Sequence, residues 1–272
     1  MPLIIGNIFI PEFSWRGAYL VAGLLIAITV IPLDLLVIRT KPEDMGLYPD
    51  GASEPPGKMT STGHGNKKSL PQLEMNFTEA RKTPAFWLMA ITYMTFSFGN
   101  SSIMQNQAPH LQGIGFALAT AAGAVSTVGI GSAIGKFGFG WLCDYIPAKF
   151  VLAIGVTCEA IGVIILMTVN STSPTFLIYT YAFIFGIGMG SWLPSMSMAV
   201  SSTFGLASYG VIFGVINLIW GIGGSLGPVT AGSIFDYTGN YFWAFVVVLI
   251  MYVISVPSML LVRNPKVKTD KA

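Results

Sequence analysis

Charged side chains make up only 10% of the 272 residues, well under the roughly 25% typical of an ordinary soluble domain. So few charges cannot solvate a globular surface, which excludes a soluble enzyme and a nucleic-acid binder. Cysteine is scarcer still. Cys143 and Cys158 cannot build a disulfide framework, and both fall in or beside apolar runs, where they act as packing residues. The sequence also lacks a metal-ligand cluster, a nucleophile–base pair and a phosphate-cradling loop, so no metal, no cofactor and no enzymatic activity are expected. A formal net charge of +2 implies nothing about acidic partners; the placement of the charges is more informative.

What the chain has is apolar length: 53% of its residues are apolar and its mean hydropathy is +0.68. A bilayer core about 30 Å thick takes roughly 20 helical residues to cross. Seven stretches are long enough: Gly17–Ile38, Ala85–Asn106, Ala117–Phe139, Phe150–Val169, Phe176–Val200, Tyr209–Ala231 and Tyr241–Val262. The charges inside them are Asp34, Lys136 and Glu159. An eighth piece, Leu3–Ile10, lacks the basic flank and cleavage site of a signal peptide and reads as the last turns of a helix. The long connection Arg39–Pro84 is rich in Pro, Gly and charge and cannot bury a core. Near its end, Thr78 is expected to cap a short helix over Glu79–Lys82 lying along the membrane surface. Seven crossings put all of the 14 basic residues except Arg16 on one side or at its border. The excess of Lys and Arg on cytoplasmic loops therefore makes the long loop and the C-terminus cytoplasmic, in a multi-pass protein of the cell inner (plasma) membrane.

A shift of 226 residues superposes Pro2 on Pro228, Gly6 on Gly232, Ile8 on Ile234 and Phe9 on Phe235. The match continues through Ala18/Ala244 and Val21/Val247, with aromatic character kept at Trp15/Tyr241 and Tyr19/Phe245. Repeats of this kind are common in transporters; chance similarity of two apolar segments is the alternative. The expected fold is all-α: one six-helix unit, preceded by a whole transmembrane helix and a partial one.

Two motifs tie this pattern to a family. Gly140-Trp141-Leu142-Cys143-Asp144 resembles the G-x-x-x-D signature of the major facilitator superfamily; Lys149 follows, but Tyr145 stands where a basic residue is usual. Gly223-Gly224-Ser225-Leu226-Gly227-Pro228, ending at Gly232, resembles the superfamily's glycine–proline helix motif. Ser14 to Tyr19, and Arg39 to Gly51, resemble the borders of helix six in the branch of oxalate/formate antiporters and monocarboxylate-porter-like proteins. The resemblance implies the end of helix five and helix six over 1–38, a cytoplasmic central loop over 39–84, the C-terminal six-helix half over 85–262 and a cytoplasmic tail over 263–272. It also implies alternating access between two halves, so that the N-terminal half of the same transporter is the missing partner, beside the lipid bilayer and a small-molecule solute.

Solute contacts in that family come from helices seven, eight, ten and eleven. Here these offer Tyr93, Asn100 and Gln107, spaced by sevens on one helical face; Ser126 and Thr127; Trp192 and Ser195; and Asn217 and Trp220. Hydrogen bonding between helices competes with a polar cavity as the account of each. The resemblance makes Asp144, with Gly140 and Lys149, the gating motif, its carboxylate expected beside a helix N-terminus of the other half; a solvated loop Asp is the alternative. Gly223, Gly227, Pro228 and Gly232 form a helix-bend motif, and Gly131/Gly135, Gly186/Gly190 and Gly210/Gly214 repeat its small-residue spacing. Glu159 is a possible proton site, against a structural, hydrogen-bonded Glu. Asp34 snorkels toward Arg39, His110 reads as interfacial and His64 has no evident chemistry. Basic residues are missing from Tyr209–Ala231, and Ala117–Phe139 has only Lys136 near one end. Oxalate is therefore doubtful: the cation for an anionic solute lies in the other half, or the solute is neutral or binds through hydrogen bonds alone.

The expected function is secondary transport of a small organic solute, a carboxylate or related metabolite, with proton coupling or exchange by a truncated carrier. A non-transporting membrane sensor or scaffold derived from a transporter half is the alternative.

Overall fold

The computed structural model describes residues 10–37 and 75–263. The chain divides into two units, Met1–Pro71 and Gln72–Ala272. In the first, α1 spans Ile10–Val37 and keeps Pro32 inside it. Its apolar stretch Tyr19–Leu35 carries exposed Tyr19, Leu20, Ile28 and Leu35, and Asp34 is exposed as well. Leu3–Phe9, with the first four positions of the 226-residue repeat, Arg39, the loop through Glu74 with His64, and the tail from residue 264 lie outside the described residues.

The second unit begins with a one-turn helix, α2 (Phe77–Ala80). Asn76 stands at its N-cap, and its backbone N–H donates to the Glu79 carboxylate at 3.2 Å. Thr78, expected to be the cap, is inside the helix; Asn competes well for that position because its side chain can answer the free N–H groups of a first turn. Six rods then run back and forth. They are α3 (Pro84–Gly113), α4 (Leu118–Cys143), α5 (Ala148–Thr168), the pair α6 (Thr175–Met189) and α7 (Trp192–Phe204), α8 (Tyr209–Thr238) and α9 (Phe242–Leu260). Thr83 caps α3 by accepting from the Phe86 N–H at 3.3 Å, with Pro84 in the first turn, where its missing donor costs nothing.

Phe176–Val200, expected to be one uninterrupted helix, is broken at Gly190–Ser191. The Gly190 and Ser191 amides turn back to Ile187 and Gly188, each at 3.0 Å. Pro194 has no N–H to offer the Gly190 carbonyl, so the regular ladder cannot close there. Elsewhere, chain reversals use left-handed glycine, as at Gly239 after α8 with φ 73°.

Five segments of this unit are long and apolar enough to cross a membrane: α4, α5, the α6–α7 pair taken as Thr175–Phe204, α8 and α9. The chain is a multi-pass membrane protein. α3 has the length, 30 residues, but Thr92, Thr95, Ser97, Asn100, Ser102, Asn106 and Gln107 hold down its hydropathy, and all seven are buried. A helix this polar spans lipid only behind its neighbours. Aromatic side chains mark both ends of the rods: Trp87, Phe137, Trp141 and Tyr145 are exposed at one, Phe176, Tyr237, Phe242 and Trp243 at the other. Amphipathic rings settle at the two headgroup layers in this way.

With lipid as apolar as leucine, helices gain little from merely hiding hydrophobic surface, and close backbone approach supplies the attraction instead. A Cβ at Gly223 would strike the Met94 carbonyl oxygen, and one at Gly227 the Phe98 carbonyl oxygen, so α3 and α8 meet backbone to backbone. Gly131 and Gly135 of α4 meet the backbone of α6 at Phe183 and Ile187, answered by Gly186 and Gly190 against Val128 and Gly135. Gly155 and Gly188 do the same for α5 and α6. Gly210 and Gly214, expected to pack in the same manner, have nothing among the described residues within 4 Å of an added Cβ, and the same is true of Gly232.

Candidate functional site

Tyr93, Asn100 and Gln107 share one face of α3, and each reaches a different neighbour. The Tyr93 hydroxyl meets Ser195 Oγ of α7 at 3.4 Å. Asn100 Nδ2 donates to Glu159 Oε1 of α5 at 2.8 Å. Gln107 Oε1 accepts from the Tyr181 hydroxyl of α6 at 2.5 Å. At a fourth point, Ser255 Oγ of α9 donates to the Thr92 carbonyl at 3.2 Å. α3 is thus a polar spine to which four other helix segments are pinned.

Glu159 is its densest point. The residue is wholly buried; Oε1 accepts from Asn100 and Oε2 from the Tyr252 hydroxyl of α9. The Tyr252 ring lies where a side chain at Gly99 would go, and Gly188 of α6 leaves room for the Glu159 stem. Four helices therefore enclose one carboxyl group, held by two neutral donors and, among the described residues, by no cation. Tyr252 and Tyr181 escaped the sequence reading, although a tyrosine in mid-span is itself a signal: its hydroxyl needs a partner in an apolar surrounding.

The remaining polar residues are placed differently. Trp192 of α7 stacks on Trp220 of α8 with centroids 4.8 Å apart and planes at 17°. Trp220 Nε1 is buried with no hydrogen-bond partner among the described residues, and Asn217, one turn earlier, is exposed. Ser126 and Thr127 bond back to the Ala122 and Gly123 carbonyls of their own helix at 3.0 and 2.9 Å. These groups leave an indole N–H and an amide uncommitted on this side of the lobe.

Asp144 is exposed and is the C-cap of α4. Pro147, three residues on, is the N-cap of α5. Gly140 has open space around it, and the Lys149 ammonium sits 5.3 Å from the centre of the Phe150 ring. At the opposite end His110 packs edge-on against Phe245, centroids 4.9 Å apart, and against Tyr241 at 5.8 Å; its Nε2 has no partner among the described residues. These three line a cavity of about 250 Å³. No group of three or more His, Cys, Asp or Glu residues suited to a metal occurs among the described residues.

The Major Facilitator Superfamily model matches residues 2–228 and again 124–272, so that 124–228 is matched twice, as suits a family of two similar halves. Among curated proteins, the chain is 23% identical over 252 residues to Monocarboxylate transporter 12 of Xenopus laevis, covering 88% of this chain and 53% of that protein. It is 28% identical over 138 residues to Monocarboxylate transporter 13 of Bos taurus, covering 51% and 32%. With the Uncharacterized MFS-type transporter YhjX of Escherichia coli (strain K12) it shares 29% over 167 residues, covering 58% and 39%. The chain spans about half the length, or less, of these relatives. The helical bundle, its membrane-length apolar rods and the match along almost the whole sequence agree: the chain belongs to the Major Facilitator Superfamily.

Proposed function

We propose that this chain forms one lobe, 85–262, with the preceding helix and central loop, of a secondary transporter. It moves a small organic solute, a carboxylate or related metabolite, by alternating access against a second lobe. Its long loop and C-terminus face the cytoplasm across the plasma membrane. The relatives named as monocarboxylate transporters support the solute class. On this lobe the solute meets hydrogen-bonding groups, Asn217 and the Trp220 indole beside Trp192, and no cation of α8. Asp144 serves at the gate with Lys149.

The observation that carries proton coupling is the carboxyl of Glu159, fully buried between two neutral donors. A charged carboxylate without a counter-charge inside a membrane protein is costly, whereas the protonated form can donate to the Tyr252 oxygen while Asn100 holds the other carboxyl oxygen. The group thus has a way to carry a proton through one state of the cycle. The test uses the full-length transporter in proteoliposomes with labelled monocarboxylates. Acid outside should drive uptake in the parent protein, and Glu159→Gln should abolish the acid stimulation while leaving solute exchange. Unchanged acid stimulation would remove Glu159 from coupling, and failure of every monocarboxylate to enter would remove the solute class.

A further inference from the structure

At the end of the bundle where α3 begins and α4, α7 and α9 finish lies a cavity of about 560 Å³, within the roughly 300–1,000 Å³ of small-ligand pockets. Its wall has two chemistries. Met89, Met198, Met259 and Val262 form an apolar part, and unbranched thioether chains adapt to irregular apolar guests. Lys149 and Arg263 bring positive charge from two separate segments, and among the described residues no carboxylate lines the cavity. Thr203 is 3% exposed and lines it too, with a hydroxyl that forms no hydrogen bond among the described residues. The depth is that of a headgroup layer: Trp87, Trp141 and Tyr145 are exposed at this same end.

We propose that this cavity binds an anionic glycerophospholipid of the surrounding leaflet. Its phosphate lies between Lys149 and Arg263 with Thr203 as a hydroxyl donor, and the glycerol and upper acyl chain lie on the methionines. A soluble anion would have no use for the methionine wall, and a neutral lipid none for the paired cations. This assignment concerns the lipid shell and not the solute, and it shares only Lys149 with the gate proposed above.

The test is native mass spectrometry of the purified full chain, released from detergent containing equal phosphatidylglycerol and phosphatidylcholine. The parent chain should retain phosphatidylglycerol with roughly thirtyfold preference, the order expected of two basic side chains at a headgroup layer. The double variant Lys149→Gln, Arg263→Gln should lose that preference, and Lys136→Gln, which removes an exposed lysine outside the cavity, should keep it. Circular dichroism checks that each variant is helical, and Arg263→Gln alone, at an exposed position, serves if the double variant does not fold. Equal retention of both lipids by the parent chain would overturn the proposal. So would loss of phosphatidylglycerol on adding millimolar inorganic phosphate, which would make the site one for a soluble anion. Equal loss in Lys136→Gln would do so as well, reducing the effect to general surface charge; Lys149 and Arg263 would then merely answer the carbonyl ends of α4, α7 and α9.

Discussion

α3 and α8 pack against each other along their length and are built oppositely. α3 carries the polar residues and hides them: Asn100, Gln107, Ser97 and Thr92 are buried. α8 is apolar enough to cross a membrane unaided, yet Val211, Leu218, Ile222, Leu226 and Val229 are exposed. In water this arrangement would be inside out. In lipid an exposed leucine costs nothing, while an unpaired amide costs several kcal/mol, so the polar helix takes the centre. Polarity in such a bundle marks what holds the helices in register, and Asn217, exposed on α8, stands outside that network.

The strongest way to break this contrast is to fill a glycine. Gly223→Leu should separate α8 from α3, because the obstacle is the Met94 backbone and cannot swing aside; overpacking of this kind costs about 1–3 kcal/mol or more. Loss of monodisperse protein in size-exclusion chromatography is expected, whereas Gly214→Leu on the same helix, with open space around it, should elute as the parent does. Next comes Glu159→Leu, which leaves the Asn100 amide and the Tyr252 hydroxyl unpaired in the core at about 1–3 kcal/mol for each. Glu159→Gln, able to accept from Asn100 and donate to Tyr252, should be far milder when both are followed by chemical denaturation. Smaller again is Tyr181→Phe, which removes one interhelical hydrogen bond to Gln107. Bonds of this sort average about 0.6 kcal/mol in membranes, and a shift of that order in denaturation is the expected reading.

The membrane-length helices, the shared face of Tyr93, Asn100 and Gln107, and three of four glycine pairs were legible because each depends on period and spacing within one segment. Partnership across the fold was not. Glu159 and Tyr252 are 93 positions apart, and on its own Glu159 reads only as an isolated charge in a span. The same holds for Gly210 and Gly214, whose spacing equals that of Gly223 and Gly227 but which, among the described residues, have nothing within 4 Å of an added Cβ. The break at Gly190–Ser191 needed two facts together, a proline at 194 and a helix packed against Gly190. The short helix took Asn76 over Thr78 as its cap, a choice decided by two residues of register.

The most direct test sets two asparagines against each other. Asn100→Leu and Asn217→Leu make the same chemical change, one in the spine and one on the open face of α8, and thermal unfolding of the chain in lipid nanodiscs reads both. Asn100→Leu should lower the midpoint by roughly 3–10 °C, as expected when a buried carboxyl group loses its Asn100 partner, and Asn217→Leu should leave it where it was. Equal shifts, or a larger one at Asn217, would contradict the account, for the polar residues of α3 would then not be what holds the lobe together.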